Sequence, residues 1–585
     1  MIRPEQTLHP QAPPAPEMAS ATVLLLRDGE QGEEGLEVLI SQRAAASSFV
    51  PSMYVFPGGR VDAEDKTWLQ HWQALFPASW PQRTRSQALA AVRECFEEMG
   101  VLLAQDGAGL PLYAAAVAQL DRQQPLFAQL QQRGWQPAIS SLAWVCDRVP
   151  PASLGRAYHT AFFYAAMPAG QTVQPDLHEQ LDAVWLPVRS ASPQGDAMQV
   201  ATQAGLQHYP MIAPTQEAIT ALQGWAHVAA ALAAAQQQTQ APHYFAREVW
   251  QGRALQRIGH THLAYAEAEL IDRSGRVQPA IDWQHESPVA LTRSVQRLTC
   301  PNPSMMSGPG TNTYLIGSAA QGWVVLDAGP AIKAHLRRIL QATGGHIHSL
   351  LCTHSHPDHS PGAVLLHRFL RRQDRAVPLL GMASLPSAAA HSRFVPTLQV
   401  QDGQVIHLPA QGGADALTLQ LIHTPGHAAN HVCVLLQEDG LLFSGDHILS
   451  GTTTVIAPPD GDMTAYLDAL DKLDAACAQC DVQYILPAHG HVLGGAGSAD
   501  PSQTPESGAG ARRIIAYYRQ HRLGREAKII AAMQQLGVQA NTAEIRQQLL
   551  PLAYADAPPA LWPVADRSLD AHMARILALG LLAKA

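Results

Sequence analysis

Residues 353–359 read Thr-His-Ser-His-Pro-Asp-His and follow directly on the apolar run Ser-Leu-Leu-Cys. His354, His356, Asp358 and His359 thus crowd one strand end, where a loop leaving the strand can turn alternate side chains toward one point. The placement recurs three times. His427 in HTPGH, Asp446 in FSGDH and His489 in LPAHG each follow an apolar run where it opens into a loop. Fourteen of the 27 His lie between 346 and 491, about twice an even share. Imidazole and carboxylate ligands without thiolate suit Zn²⁺, with Mn²⁺ or Fe²⁺ as alternatives. Seven such ligands are too many for one tetrahedral ion and suit two ions sharing a bridging carboxylate.

HxHxDH followed by the later His, Asp and His, with GPGTNTYLIG, VVLDAGP and TPGHAANH around them, resembles the metallo-β-lactamase superfamily over about 200 residues. The resemblance implies a four-layer αβ/βα sandwich and a metal-dependent hydrolase, with glyoxalase-II-like and lactamase-like endoribonuclease branches as its nearest kin. It assigns His354, His356 and His427 to one ion, Asp358, His359 and His489 to the other, Asp446 to both, and a catalytic part to Asp358. Asp327 reads equally as a partner that orients a ligand His or as a turn cap. Asn430 and His431 are divided between substrate contact and local hydrogen bonding. Cys477 and Cys480 have redox spacing, but they end an amphipathic helix and are expected to be packed thiols.

A second constellation lies upstream. In RECFEEMGV the residues Glu94, Glu97 and Glu98 stand at i, i+3 and i+4, one face of a helix. Three glutamates alone would be a solvated acidic face. Carboxylates this close also suit a hard divalent cation, Mg²⁺ or Mn²⁺, bridging substrate phosphates. The nonamer at 93–101, with FPGGRVD upstream, resembles the Nudix hydrolase box, whose family cleaves nucleoside diphosphates linked to another moiety. That resemblance implies an α/β/α sandwich, makes Glu94, Glu97 and Glu98 metal-binding and catalytic, and pairs Arg93 with a box carboxylate. The box is interrupted by 20 extra residues, which leaves Asp62, Glu64 and Asp65 as candidates for its first acidic position. The long insert is similar to the coenzyme-A-type branch.

The rest of the chain supplies organisation. With 585 residues, 47% hydrophobic and 15% charged, it is long enough for several α/β and α+β domains and too apolar for a disordered one. The expected division is a loose arm at 1–20, the Nudix-like unit at 21–212, a helical segment and linker at 213–294, the metallo-β-lactamase unit at 295–500, and a tail at 511–585. That tail resembles a small helical winged-helix domain. Ten basic against five acidic residues there, in a chain of net charge −9, suggest an RNA-binding face, and a basic solvated helix accounts for them equally well. No run is long and apolar enough to span a membrane. Seven scattered Cys and no signal peptide point to the cytoplasm. Expected substrates are a small diphosphate or thioester, such as a nucleotide or coenzyme A derivative. The expectation is a bifunctional hydrolase, the alternative being a Nudix unit that binds a regulatory ligand without catalysing.

Overall fold

Alternation along single strands builds the second half of the chain. In the strand Gly322–Leu326 (β14), Val324 and Leu326 face one apolar core while Trp323 and Val325 face another. In Val432–Leu436 (β20), Val432, Val434 and Leu436 share the first core and Cys433 and Leu435 enter a third. Strands buried on both faces read as continuous apolar runs, which is why WVVL and VCVLL lack polar alternation.

The computed structural model describes residues 3, 6–9, 18–29, 35–46, 50–150, 158–188, 209–237, 243–496 and 510–583. Two sheets pack through the shared core. The first runs in chain order from Val289–Ala290 (β11) and Val295–Thr299 (β12) through Asn312–Ser318 (β13), β14, Ile347–Leu351 (β15) and Leu379–Gly381 (β16) to Leu398–Gln399 (β17). The second runs from Val405–Leu408 (β18) through Leu417–His423 (β19), β20, Leu441–Gly445 (β21) and Tyr484–Pro487 (β22) to Leu493–Gly494 (β23). Helices Lys333–Ala342 (α6) and Ser360–Arg371 (α7) cover the outer face of the first sheet. Met463–Gln479 (α8) and the tail helix Gly510–Leu536 (α9) cover that of the second. This is the expected αβ/βα sandwich. The loops after β15, β19, β21 and β22 carry the seven candidate ligands.

The N-terminal half is a mixed sheet between helices. Its strands are Met18–Asp28 (β1), Leu36–Gln42 (β2), Tyr54–Val55 (β3), Gly58–Arg60 (β4), Leu142–Val149 (β5), Tyr158–Ala166 (β6), Val184–Val188 (β7) and His243–Phe245 (β8), in the order β8-β5-β6-β1-β2-β3, with β4 on β1 and β7 on β2. β1 and β2 pair antiparallel, in register at Leu26 and Val38, and residues 30–34 lie outside the described residues. Gln82–Met99 (α2) packs on one face with Val23 and Leu25. Ala213–Leu222 (α3) and Val228–Gln237 (α4) pack on the other with Leu24 and Leu26. The 20 extra residues form Ala63–His71 (α1) and a turn that fold back on α2. Residues 213–294, expected as a helical segment and linker, continue into the hairpin Arg247–Gln251 (β9) and Ala254–Ile258 (β10) and the helix Tyr265–Ile271 (α5). From there β11 joins the second half's sheet.

Two expectations change. The N-terminal arm is anchored where it is described: Arg3 pairs with the buried Asp439 at 2.8 Å, and Gln6 Nε2 donates to Asp415 at 2.9 Å. Residues 10–17 lie outside the described residues. The tail, Ala543–Ala553 (α10) and Trp562–Ala578 (α11) after α9, is helical, but its described residues contain no strand to serve as a wing. Residues 501–509, just before the tail, are also outside the described residues. No helix among those described is long and apolar enough to cross a membrane.

Candidate metal centre

The strand ends bring all seven side chains together in two groups that meet at Asp446. His354 Nε2 and His427 Nε2 each lie 3.0 Å from His356 Nδ1. Asp446 Oδ2 stands 3.5 Å from His427 Nε2 and 4.0 Å from His354 Nε2. Its other oxygen, Oδ1, stands 3.3 Å from His489 Nε2 and 3.5 Å from His359 Nε2. Asp358 Oδ2 closes the second group, 3.4 Å from His489 and 3.6 Å from His359. One carboxylate therefore faces a three-histidine cluster with one oxygen and a histidine–aspartate cluster with the other.

Outer contacts fix which ring nitrogen points inward. His427 Nδ1 bonds Val455 O at 2.8 Å, His489 Nδ1 bonds Gly310 O at 3.1 Å, and His354 Nδ1 bonds Thr353 Oγ1 at 2.9 Å. Asp327 accepts from Thr353 N and Oγ1 at 2.7 and 2.8 Å and binds His359 Nδ1 at 3.0 Å. It thus orients a ligand candidate, which decides between its two sequence readings. It does so at φ +52°, a left-handed conformation that non-glycine residues adopt at a cost. Each contact leaves a lone pair on Nε2 aimed at the cluster centre.

Glycines give the ligand loops room. A Cβ on Gly445 would sit 2.6 Å from His431 Nε2 at φ +50°, and one on Gly426 would sit 2.4 Å from Tyr466 Cα at φ +140°. These residues immediately precede Asp446 and His427.

The buried polar atoms fit a cation. His359 Nε2, His489 Nε2 and Asp446 Oδ1 are buried without a hydrogen-bond partner among the described residues, although each faces the others at under 4 Å. Burial, reinforced by His359, holds His354 well below its ordinary value. Burial and His427 take His356 down to about 3. His354 and His356 thus stay neutral and ready to donate lone pairs. On the other side burial works against charge but is outweighed. Asp446 and Asp358 raise His489 to about 9, His359 draws Asp358 down to about 2, and His489 and His359 hold Asp446 well below the usual carboxylate range. The pair of carboxylates demands positive charge, which bound divalent ions would supply in place of protons.

His431, a candidate for substrate contact, lies fully buried behind Asp446. Its Nε2 accepts from Asp446 N at 3.1 Å and its Nδ1 meets Thr424 Oγ1 at 2.8 Å. Asn430 bridges Ser355 Oγ and Met382 O at 3.2 and 2.9 Å, also a local role. Residues that the sequence did not mark include Thr353 and the carbonyls of Gly310 and Val455. Asn312 is another: its amide donates to Pro487 O at 3.0 Å and Gly490 O at 2.8 Å on either side of His489. Cys477 is a packed thiol, pushed up to about 12 by burial, and all seven cysteines are free.

The N-terminal carboxylates are arranged differently. Arg93 binds Asp65 through two bonds of 3.0 Å and reaches Glu94 at 3.0 Å and Glu97 at 2.8 Å. Of the three candidates for the first acidic position, Asp65 is the one hydrogen-bonded to Arg93, while an Asp62 oxygen lies 3.8 Å from the same guanidinium. Asp62 caps α1, and Glu64 accepts from Phe127 N. Glu98 accepts from Gly58 N at 2.9 Å and Gln180 Nε2 at 2.8 Å. Burial raises Glu98 to about 8 and Glu94 to about 7. Glu94, Glu97 and Glu98 share a helix face, but their oxygens do not converge as the C-terminal seven do.

The tail's basic side chains are mostly matched by acids. Arg512 pairs with Asp474 at 2.8 Å, Arg519 with Asp471 at 2.7 Å, Arg525 and Lys528 with Asp556 at 2.6 and 2.8 Å, and Arg546 with Asp566 at 2.9 Å.

The profile of the metallo-beta-lactamase superfamily matches residues 307–489. The Drosophila melanogaster beta-lactamase-like protein 2 homolog is 31% identical over 292 residues, 49% of this chain and 88% of that protein. An atrochrysone carboxyl ACP thioesterase from Aspergillus chevalieri is 28% identical over 274 residues, 46% of this chain and 73% of that protein. Among solved structures, a NUDIX hydrolase from Alicyclobacillus acidocaldarius aligns with 37% of this chain and 96% of its own at 23% identity and a TM-score of 0.31. A beta-lactamase domain protein from Burkholderia ambifaria aligns with 51% and 90% at 20% identity and a TM-score of 0.39. With its αβ/βα sandwich, its His and Asp cluster at the strand ends and its likeness to the Drosophila protein across most of that protein's length, the chain belongs to the metallo-β-lactamase superfamily of hydrolases.

Proposed function

We propose that the C-terminal half is a dinuclear-metal thioesterase. His354, His356 and His427 hold one divalent ion, zinc in the first instance, Asp358, His359 and His489 hold the second, and Asp446 bridges them. The division of the two Asp446 oxygens between the two clusters is the observation that carries this reading. Two ions bound there would supply Lewis acidity and an activated water for attack on an acyl carbon. Asp327, Thr353, Gly310 O and Val455 O keep His359, His354, His489 and His427 in the tautomer that presents Nε2. Asp358, with its side chain 30% exposed, is reachable from solvent and can relay a proton toward the leaving group.

A thioester is favoured over RNA on two grounds. A relative matched over 73% of its length is named a thioesterase, and the tail's arginines are engaged by Asp471, Asp474, Asp556 and Asp566 instead of forming a free basic face. Zinc-loaded full-length protein, offered acyl-coenzyme A and single-stranded RNA in parallel, should release thiol from the first and leave the second intact. RNA cleavage without thiol release would reverse the assignment.

For the N-terminal half the proposal is a Nudix diphosphatase using Mg²⁺ or Mn²⁺ at Glu94, Glu97 and Glu98, supported by the mutual repulsion of the buried Glu98 and the partly buried Glu94 and by Asp65 on Arg93. A second reading, a ligand-binding module without catalysis, is favoured by the commitment of each glutamate to protein donors. Turnover of a nucleoside diphosphate conjugate by the full chain, abolished by Glu98→Gln but retained in His354→Ala, selects the first. Binding of the conjugate without turnover selects the second.

A further inference from the structure

The tail packs against the loop that follows Asp446. We infer that α9 and α11 position the ligand His427 by clamping this loop, an inference that rests on the assignment of His427 as a metal ligand.

Residues 446–456 contain no helix or strand and lead away from Asp446. Their near end is fixed within the sandwich, where Ser444 Oγ donates to Ile448 O at 2.7 Å and Tyr466 Oη donates to His447 O at 2.8 Å. Their far end is held from the tail. The buried Tyr518 hydroxyl of α9 accepts from Leu449 N at 3.2 Å and faces the carbonyls of Leu449 and Thr452, the latter at 2.8 Å, with one hydrogen to give. One turn on, Arg522 donates to Thr454 O and lays its guanidinium over the Tyr466 ring, 5.2 Å from the centroid. Ser568 Oγ of α11 accepts from Ile456 N at 3.4 Å.

Val455 lies between those last two anchors, and its carbonyl takes the His427 Nδ1 hydrogen at 2.8 Å. Thr454 Oγ1 is also close, 3.3 Å from the same nitrogen. The peptide before the acceptor, through Thr454 O, and the acceptor's own peptide, through Ile456 N, are therefore both tied to the tail, so the direction of the Val455 carbonyl depends on α9 and α11. That carbonyl selects the His427 tautomer with a free Nε2 and sets the ring plane. A partner of this kind typically carries a 10–100-fold effect on metal affinity. Tyr518, Arg522 and Ser568 act through Val455 and Thr454, so they are positioning residues. Arg522 is 4% exposed and, facing a carbonyl and an aromatic ring, has no surface role that would otherwise explain its burial.

The test uses the full chain. Zinc affinity is measured by competition with a chromophoric chelator, and the cobalt-substituted protein gives the ligand-field spectrum of the sites. Tyr518→Phe and Ser568→Ala each remove only one hydroxyl; Arg522→Met removes the donor but keeps the length. Arg519→Ala removes a tail charge that touches Asp471 and not the loop. The expected result is a fall of about 10-fold in affinity for one of the two ions in Arg522→Met, with a smaller fall in Tyr518→Phe and Ser568→Ala. The cobalt spectrum should change in all three, Arg522→Lys should restore part of the affinity, and Arg519→Ala should match wild type. Wild-type affinity and spectrum in folded Tyr518→Phe and Ser568→Ala, whatever becomes of Arg522→Met, would overturn the inference. If wild-type protein itself binds no zinc, the metal assignment fails instead.

Discussion

Replacing Asp327 by Asn leaves the size of the side chain unchanged and reverses the polarity of half of it. One carboxylate oxygen accepts from Thr353 N at 2.7 Å, while the other accepts from Thr353 Oγ1 at 2.8 Å and meets His359 Nδ1 at 3.0 Å. An amide can satisfy only one of these sides. If its NH₂ faces the imidazole, the His359 proton moves to Nε2 and points at Asp446 Oδ1, 3.5 Å away, where a lone pair is needed. If it faces Thr353 N, two donors oppose each other in a fully buried place. Either arrangement should cost a factor of about 10–100 in affinity for the ion held by His359, or about 1.4–2.7 kcal/mol. Zinc competition titrations on Asp327→Asn and wild type measure it, with circular dichroism to establish equal folding. Two ions bound by Asp327→Asn with wild-type affinity would refute the argument that this carboxylate sets the tautomer.

Gly445→Ala places a Cβ 2.6 Å from His431 Nε2 at a positive φ, so it should destabilise the protein by about 1–3 kcal/mol in urea unfolding and lower zinc content. The Glu267 and Arg297 side chains form a buried two-bond pair that also holds His491 Nδ1 at 3.0 Å and Val492 N at 3.3 Å, just beyond His489. Arg297→Met should therefore cost about 3–5 kcal/mol in the same unfolding measurement, because it strands the carboxylate. Burial alone would raise Glu267, but Arg297 and His491 hold it well below its ordinary 4.5. Its stabilisation is then complete above that value and is lost as the pH falls beneath it; melting temperature should drop across this acid range in wild type and less steeply in a Glu267→Gln, Arg297→Met double variant. Reversing the tail charges in Arg512→Glu and Arg519→Glu should leave retention on single-stranded RNA unchanged in a filter-binding assay, since both side chains already face aspartates.

The candidate centre was legible because its ligands are local. Four of the seven sit on one loop, and the others each end an apolar run, so strand-to-loop placement is visible without knowing the fold. Asp327 was ambiguous because its contacts with Thr353 and His359 cross from one strand end to the next. The carbonyls of Gly310 and Val455 left no trace at all, since any residue offers a backbone oxygen. The pairing of the tail's charges was hidden for a related reason. A charge count over a window includes Arg512 and Arg519 but not Asp474 and Asp471, which lie on α8, 38 and 48 residues earlier. The anchoring of Arg3 was out of reach of the sequence, because its partner Asp439 lies 436 positions away. In the N-terminal half, only the fold-back of α1 onto α2 could show which acid within 62–65 meets Arg93.

Bridging of two ions by Asp446 can be read from the metal content of wild type and of Asp446→Asn, counted by plasma emission spectrometry after zinc loading and gel filtration. Wild type should carry two zinc ions per chain and Asp446→Asn should lose at least one, with His354→Ala and His489→Ala each retaining no more than one. A single ion in wild type, or two retained in Asp446→Asn, would contradict it.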